Sequence, residues 1–235
     1  MTVVTDIRTP NSCCEELRRR GFEIIALPPF PRLPAPVASH PDMLIFFTDD
    51  HLIAHESYYP IAYQQLELTA QRSGRKLLLT DEPTGDTYPT DVLLNSACIG
   101  NTIIGSERAM SAKIKEFCAH SGKDILNVKQ GYAKCSVCIV DDNAIITADA
   151  GIAAKACSRG IDVLIVQAGH VRLDGYDCGF IGGASGRCDD TLYFCGNLNS
   201  HPDSNAIAEF CQKHGKTAVS LGDGQLFDVG TLFFI

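Results

Sequence analysis

The amino-acid sequence predicts an α/β protein built as a closed ring of five repeated units, each contributing a helix and three strands. Three observations carry that prediction. A helix end, a glycine and an apolar strand recur five times along the chain. Each copy is followed by a further strand, and in all but the last copy a turn then leads into a third. The last copy stops one strand short, while the first residues, Val3-Val4-Thr5, form a strand with no partner of their own.

The five helix ends are Arg20-Gly21, Ser73-Gly74, Ser121-Gly122, Arg159-Gly160 and His214-Gly215. Each runs into an apolar strand, at Phe22–Leu27, Arg75–Thr80, Lys123–Val128, Ile161–Val166 and Lys216–Leu221. The residue after a helix commonly takes the left-handed conformation, which glycine adopts without steric cost. Two short helices are expected at about residues 12–20 and 151–159. Pro60 suits the first turn of a helix that runs to Ser73. Ser106 caps a helix whose apolar stripe is Met110, Ile114, Phe117 and Cys118. Pro202 and Asp203 open one with Ile207, Phe210, Cys211 and His214 on one face.

The second strands are expected to start within Ser39–Leu44, Tyr88–Leu93, Gly131–Ser136, Gly175–Phe180 and Leu226–Thr231. Asp49-Asp50, Gly100-Asn101 and Asp141-Asp142-Asn143 are hairpin turns into third strands at His51–His55, Thr102–Gly105 and Ala144–Thr147. In the fourth copy the turn lengthens to Gly182–Asp190 before Thr191–Cys195, and its glycines suggest a lid over the ring centre. Pairing the strand near Val3 with the one near Leu232 would close the ring and cover two sheet edges.

Composition narrows the function. The chain has 235 residues, read as one domain spanning 1–235, with 45% hydrophobic and 20% charged residues. No apolar run is long enough for a membrane span, and residues 1–6 lack the pattern of a signal peptide, so a cytoplasmic protein is expected. The net charge is −8 and the only basic run, Arg18-Arg19-Arg20, ends a helix where the dipole favours cations. Nucleic acid and membrane are therefore not expected partners. The 11 cysteines are irregularly spaced and read as reduced thiols. The single Cys135-x-x-Cys138 has no second pair and lies in a segment read as a strand, so no metal and no cofactor are expected.

Five helix-plus-three-strand units in a closed ring resemble the pentein fold of the guanidine-modifying enzymes. Gly131-Tyr-Ala-Lys-Cys135, Ile145-Ile-Thr-Ala-Asp149 and Gly175-Tyr-Asp-Cys-Gly-Phe-Ile-Gly-Gly183 look like an uncharacterised bacterial family assigned to that fold. The resemblance implies central carboxylates that grip a guanidinium, a His-x-acid motif for proton transfer and a cysteine nucleophile, usually near the C-terminus. This chain has Asp228 where that cysteine is expected, and no cysteine follows Cys211.

The second-strand starts put His40 and Asp42, Asp91, Lys134 and Cys135, Asp177 and Cys178, and Asp228 at one depth around the axis. Converging carboxylates repel one another unless a cation offsets them, so a small guanidino or amine compound is the expected partner. In the catalytic reading Cys135 is the nucleophile, His40 oriented by Asp42 shuttles protons, and Asp91, Asp177 and Asp228 hold the substrate. Cys178 is the reserve nucleophile. A low-pKa Cys135 would then be the first cysteine alkylated. His201-Pro202-Asp203 repeats the His-x-acid pattern at a helix start, where it reads as a cap. Two functions stay open: a hydrolase or transferase acting on a guanidine or amidine, and a non-catalytic pentein that works by binding, as the ribosome anti-association factor of that fold does.

Overall fold

Glycines and turns cut the chain into short strands, and the computed structural model, which describes residues 1–235, gathers them into five three-stranded sheets. Strands β1 (Thr2–Asp6) and β2 (Glu23–Leu27) flank helix α1 (Asn11–Arg19). After the short α2 (Pro41–Leu44) come β3 (Ile45–Phe47), β4 (His51–His55), α3 (Tyr59–Ser73) and β5 (Lys76–Thr80). The third sheet holds β6 (Ala97–Ile99), β7 (Thr102–Gly105) and, after α4 (Ala112–Ser121), β8 (Asp124–Asn127). A second short helix, α5 (Ala133–Ser136), precedes β9 (Cys138–Asp141), β10 (Ala144–Thr147), α6 (Ala150–Ser158) and β11 (Asp162–Ile165). The last full sheet is β12 (Ser185–Cys188), β13 (Thr191–Phe194) and, after α7 (Ser204–Lys213), β14 (Thr217–Ser220). Strand β15 (Phe233–Phe234) ends the order.

Every sheet follows one plan. An inner strand pairs antiparallel with a middle strand, and a helix crosses over to an outer strand parallel to the middle one. Parallel neighbours require such a crossover. The helices stop where the sequence says they should: Gly21, Gly74, Gly122, Gly160 and Gly215 all have φ between 67° and 88°. Middle strands are covered on both faces, so β10 is buried along its whole length and reads as an apolar run without alternation.

The ring closes as expected. Strand β1 is the middle strand of the sheet whose inner strand is β15, with Val3 opposite Phe234 and Val4 opposite Phe233. Inner strands line the axis, β12 lying against both β9 and β15 and β9 against β6. No helix is long and apolar enough to cross a membrane.

Several local expectations are corrected. Two inner strands begin later than their sequence suggests, because Pro41–Leu44 and Ala133–Ser136 each form one helical turn first. Pro41 favours this with its fixed φ at the first helical position. Cys135 therefore sits on a helical turn, not on a strand with Cys138. Helix α4 starts at Ala112 with Ser111 as its cap, whose hydroxyl accepts from the Lys113 amide, while Ser106 anchors a separate turn.

The glycine-rich Gly182–Gly186 is no lid. Ser185 and Gly186 belong to the inner strand β12, and Gly182 and Gly183 are buried. Glycine is needed there for close approach: a Cβ on Gly183 would lie 2.0 Å from Asp228 Oδ1. Gly183→Ala should cost about 1–3 kcal/mol by overpacking, lowering the thermal midpoint by roughly 2–4 °C per kcal/mol. Gly224→Ala, where nothing lies within 4 Å of the new methyl, is the control and should shift little. Equal midpoints for the two variants would show that Gly183 is not under steric constraint.

Candidate active site

The segments just before the five inner strands meet at the axis, and hydrogen bonds tie them into a closed circuit. The Asp42 amide donates to the Gly230 carbonyl (3.0 Å), Thr231 N to Gly183 O (2.8 Å), and Gly183 N to Cys135 O (2.8 Å). Lys134 N then donates to Asn95 Oδ1 (2.8 Å), and Asn95 Nδ2 donates back to Asp42 O (3.2 Å). Each link joins a different pair of units, so the circuit fixes all five units at one depth.

Cys135 and Asp42 face one another inside this circuit. The Cys135 thiol lies 3.2 and 3.1 Å from the two Asp42 carboxylate oxygens. Asn95 Nδ2 donates to Cys135 Sγ (3.1 Å) and to Asp42 Oδ1 (3.2 Å), while its Oδ1 accepts from the Cys135 amide (3.3 Å). Thr231 donates to Asp42 Oδ2 (2.9 Å) and accepts from Lys134 Nζ (2.9 Å). Cys135 is 2% exposed and Asp42 1%. Burial, then the charges of Asp42 and Asp228, push the thiol well above its ordinary pKa of 9.0. At rest it is a protonated thiol that donates to Asp42. The expectation of a low-pKa Cys135 that is alkylated first is thereby corrected.

His40 is also in the cluster, but Asp42 does not orient it. Its Nε2 is 3.7 Å from Asp6 Oδ2 and its Nδ1 is 3.8 Å from Asp228 Oδ1, and neither ring nitrogen has a hydrogen-bond partner. Asp6 is held by the Arg8 guanidinium and the Ser39 hydroxyl. Asp228 accepts from the amides of Phe180 (2.8 Å) and Gly230 (2.9 Å). Burial nevertheless raises the pKa of Asp228, and the Asp42 charge adds to this. One ligand atom each from His40, Asp42 and Cys135 lie within 4.8 Å of one another, close enough to share one small cation.

The other expected site residues lie elsewhere. Asp91 is buried, but its Oδ2 is bonded by Tyr132 Oη (2.5 Å) and its Oδ1 has no partner. Asp177 is exposed on the loop ahead of β12. Cys178 lines a separate cavity of about 130 Å³ with Asp149, His170 and His201. Both stay out of the centre although the chain reaches it directly after them, where the Phe180 amide donates to Asp228: the Asp177 side chain is exposed and Cys178 faces the separate cavity. His201 and Asp203 tie a loop to α7, Asp203 accepting from Gln167 N (2.7 Å) without capping the helix by its side chain.

Asp6, Asn95 and Thr231 were not singled out by sequence. Asn95 stands two residues before its inner strand, while Asp42 and Cys135 stand three before theirs. Counting back from the inner strands, instead of aligning second-strand starts, would have found it.

A ring of five such sheets around a buried polar centre is the pentein architecture. The chain is similar to a DDAH from Pseudomonas aeruginosa complexed with citrulline, at 10% identity and a TM-score of 0.61, covering 93% of this chain and 91% of that one. It is also similar to an amidinotransferase of a saxitoxin biosynthetic pathway from Microseira wollei (11% identity, TM-score 0.56, 93% and 87% covered). A third likeness is to the agmatine deiminase of C. jejuni (7% identity, TM-score 0.53, 94% and 76% covered). No curated protein matches the sequence. Within the pentein class, the chain belongs to the Family of unknown function (DUF6873), whose model matches residues 4–233.

Proposed function

We propose that this pentein breaks or transfers a C–N bond of a small guanidino or amidino compound, with Cys135 as nucleophile. The observation that carries the reading is the Cys135 thiol set against both oxygens of Asp42 at 3.1 and 3.2 Å, in a buried centre that also holds His40, Asp6 and Asp228. The solved structures of like fold include an amidinotransferase and an agmatine deiminase, which agrees with that chemistry.

Three carboxylates converge on the centre, while burial lowers the pKa of the nearby Lys134 ammonium. A planar cation offsets the carboxylates and accepts their hydrogen bonds. The same cation stabilises a thiolate beside it, so the raised thiol pKa is relieved when the substrate is bound. Cys135 then attacks the central carbon as its proton passes to Asp42. The C–S bond forms and the electron pair of the C=N bond moves to nitrogen. As the tetrahedral carbon collapses, the C–N bond breaks and the amine leaves with a proton from His40, the ring between Asp6 and Asp228. Water then attacks the S-linked carbon as His40 takes its proton, the C–S bond breaks, and the departing sulfur recovers its proton from Asp42, which gives a hydrolase; an amine attacking in place of water gives a transferase. Asn95 orients both Cys135 and Asp42. Asp228 is the remaining acceptor for substrate N–H groups.

The test pairs binding with turnover. Agmatine, arginine and simple amidines should raise the thermal midpoint, since a ligand of the folded state stabilises it, and one or more should release ammonia or an amine. Cys135→Ser should keep binding and lose turnover by at least roughly a thousandfold, the scale of losing a covalent nucleophile. Turnover that survives Cys135→Ser would reject the mechanism. Stabilisation by phosphates or organic acids, with none by any amine or guanidine, would reject the cationic substrate.

A further inference from the structure

Beyond Lys134 and Thr231 the axis is hollow. A cavity of about 220 Å³ is lined from all five inner strands, with Phe47, Ile139, Arg187 and Phe233 among its walls. No aspartate or glutamate lines it, whereas Arg75, Lys134 and Arg187 do. Arg187 is already paired with Asp142 (2.9 Å) and Asp141 (3.7 Å). The other two cations have only neutral direct hydrogen-bond partners, with Asp42 and Asp228 further off from Lys134. Arg75 donates to the Thr48 and Ser73 carbonyls and lies over the Phe47 ring at 5.3 Å. Lys134, 6% exposed, donates to Thr231 Oγ1 and more weakly to Val137 O (3.3 Å), and sits 5.9 Å from the Phe233 ring centroid. Ile235 also borders the cavity, with its carbonyl oxygen taken by the Thr2 amide (2.9 Å).

We infer that this axial cavity is a binding site for a small organic carboxylate with an aromatic or branched apolar body, held by Lys134 and Arg75. The Lys134 ammonium reaches a carboxylate, Asp42, only through the Thr231 hydroxyl; a buried cation paired so indirectly is costly, and its third N–H is free to meet an anion. The phenylalanine walls favour an apolar body and disfavour a heavily hydrated dianion such as phosphate. The cavity adjoins the catalytic centre through Lys134 and Thr231, but neither Cys135, His40 nor Asp42 lines it. The inference therefore does not rest on Cys135 being a nucleophile.

Calorimetric titration of the intact protein with benzoate, its neutral twin benzamide, and inorganic phosphate tests the inference. Benzoate should bind saturably, at least tenfold more tightly than benzamide or phosphate, with NOEs from its ring protons to Phe47 and Phe233. Arg75→Gln and Lys134→Met should each weaken benzoate at least tenfold, and Cys135→Ser should leave it unchanged. If Lys134→Met does not fold, Arg75→Gln and the NOEs decide. The inference is overturned if benzoate does not bind, if benzamide or phosphate binds as well, or if Arg75→Gln binds benzoate like the parent. Loss of benzoate binding in Cys135→Ser would also overturn it, because the anion would then occupy the catalytic centre.

Discussion

Deleting Met1–Thr5 is expected to leave a chain that does not fold cooperatively. Strand β1 is bonded on both sides, parallel to β2 over Thr2–Asp6 and antiparallel to β15 through Val3 and Val4. All five of its residues are buried, and Val3 and Val4 are fully so. Burying a valine contributes roughly 1.5–3 kcal/mol, so the two valines alone account for about 3–6 kcal/mol. Typical domains have only about 5–15 kcal/mol in total. The deletion also exposes two strand edges that invite association. Circular dichroism melts and size-exclusion chromatography read both effects. A truncated protein that is monomeric, with a midpoint within a few degrees of the parent, would mean that ring closure is dispensable.

Cys135 should be inert to a neutral alkylating agent and reactive to a cationic one. A thiol titrating above 9 holds less than about 1% thiolate at pH 7, and Cys135 is also buried against Asp42 and Asp228. Iodoacetamide should therefore label the exposed Cys157 well before Cys135. Chloroacetamidine carries the charge that the carboxylates lack. It should label Cys135 at least a hundredfold faster than neutral chloroacetamide does, with the ratio at Cys157 near one. Asp42→Asn should collapse the preference at Cys135. Peptide mapping by mass spectrometry gives the ratios. Equal rates for the two reagents at Cys135 would show that the centre does not recognise an amidinium.

The fold was largely legible because its signals are local. Glycine after a helix, hairpin turns at Asp49-Asp50 and Asp141-Asp142-Asn143, and apolar runs such as Ala144–Thr147 depend on conformational preferences within a few residues. Repeated five times, they reinforce one another. The short turns at Pro41–Leu44 and Ala133–Ser136 were less legible, since four residues carry too little periodicity to tell a helical turn from a strand.

Sequence alone determined that the chain is a five-unit α/β ring closed by its first strand. It also brought His40, Asp42, Cys135 and Asp228 together as candidates, because equivalent positions in a repeat must converge on its axis. Only the tertiary structure decided how they pair. Cys135 meets Asp42, His40 lies between Asp6 and Asp228, and Asn95 joins the centre while Asp177 and Cys178 stay outside it. Those pairings are set by where each inner strand begins. That depends on loops of unequal length, and on backbone bonds between residues as far apart in sequence as Asp42 and Gly230. No local propensity encodes such a distance.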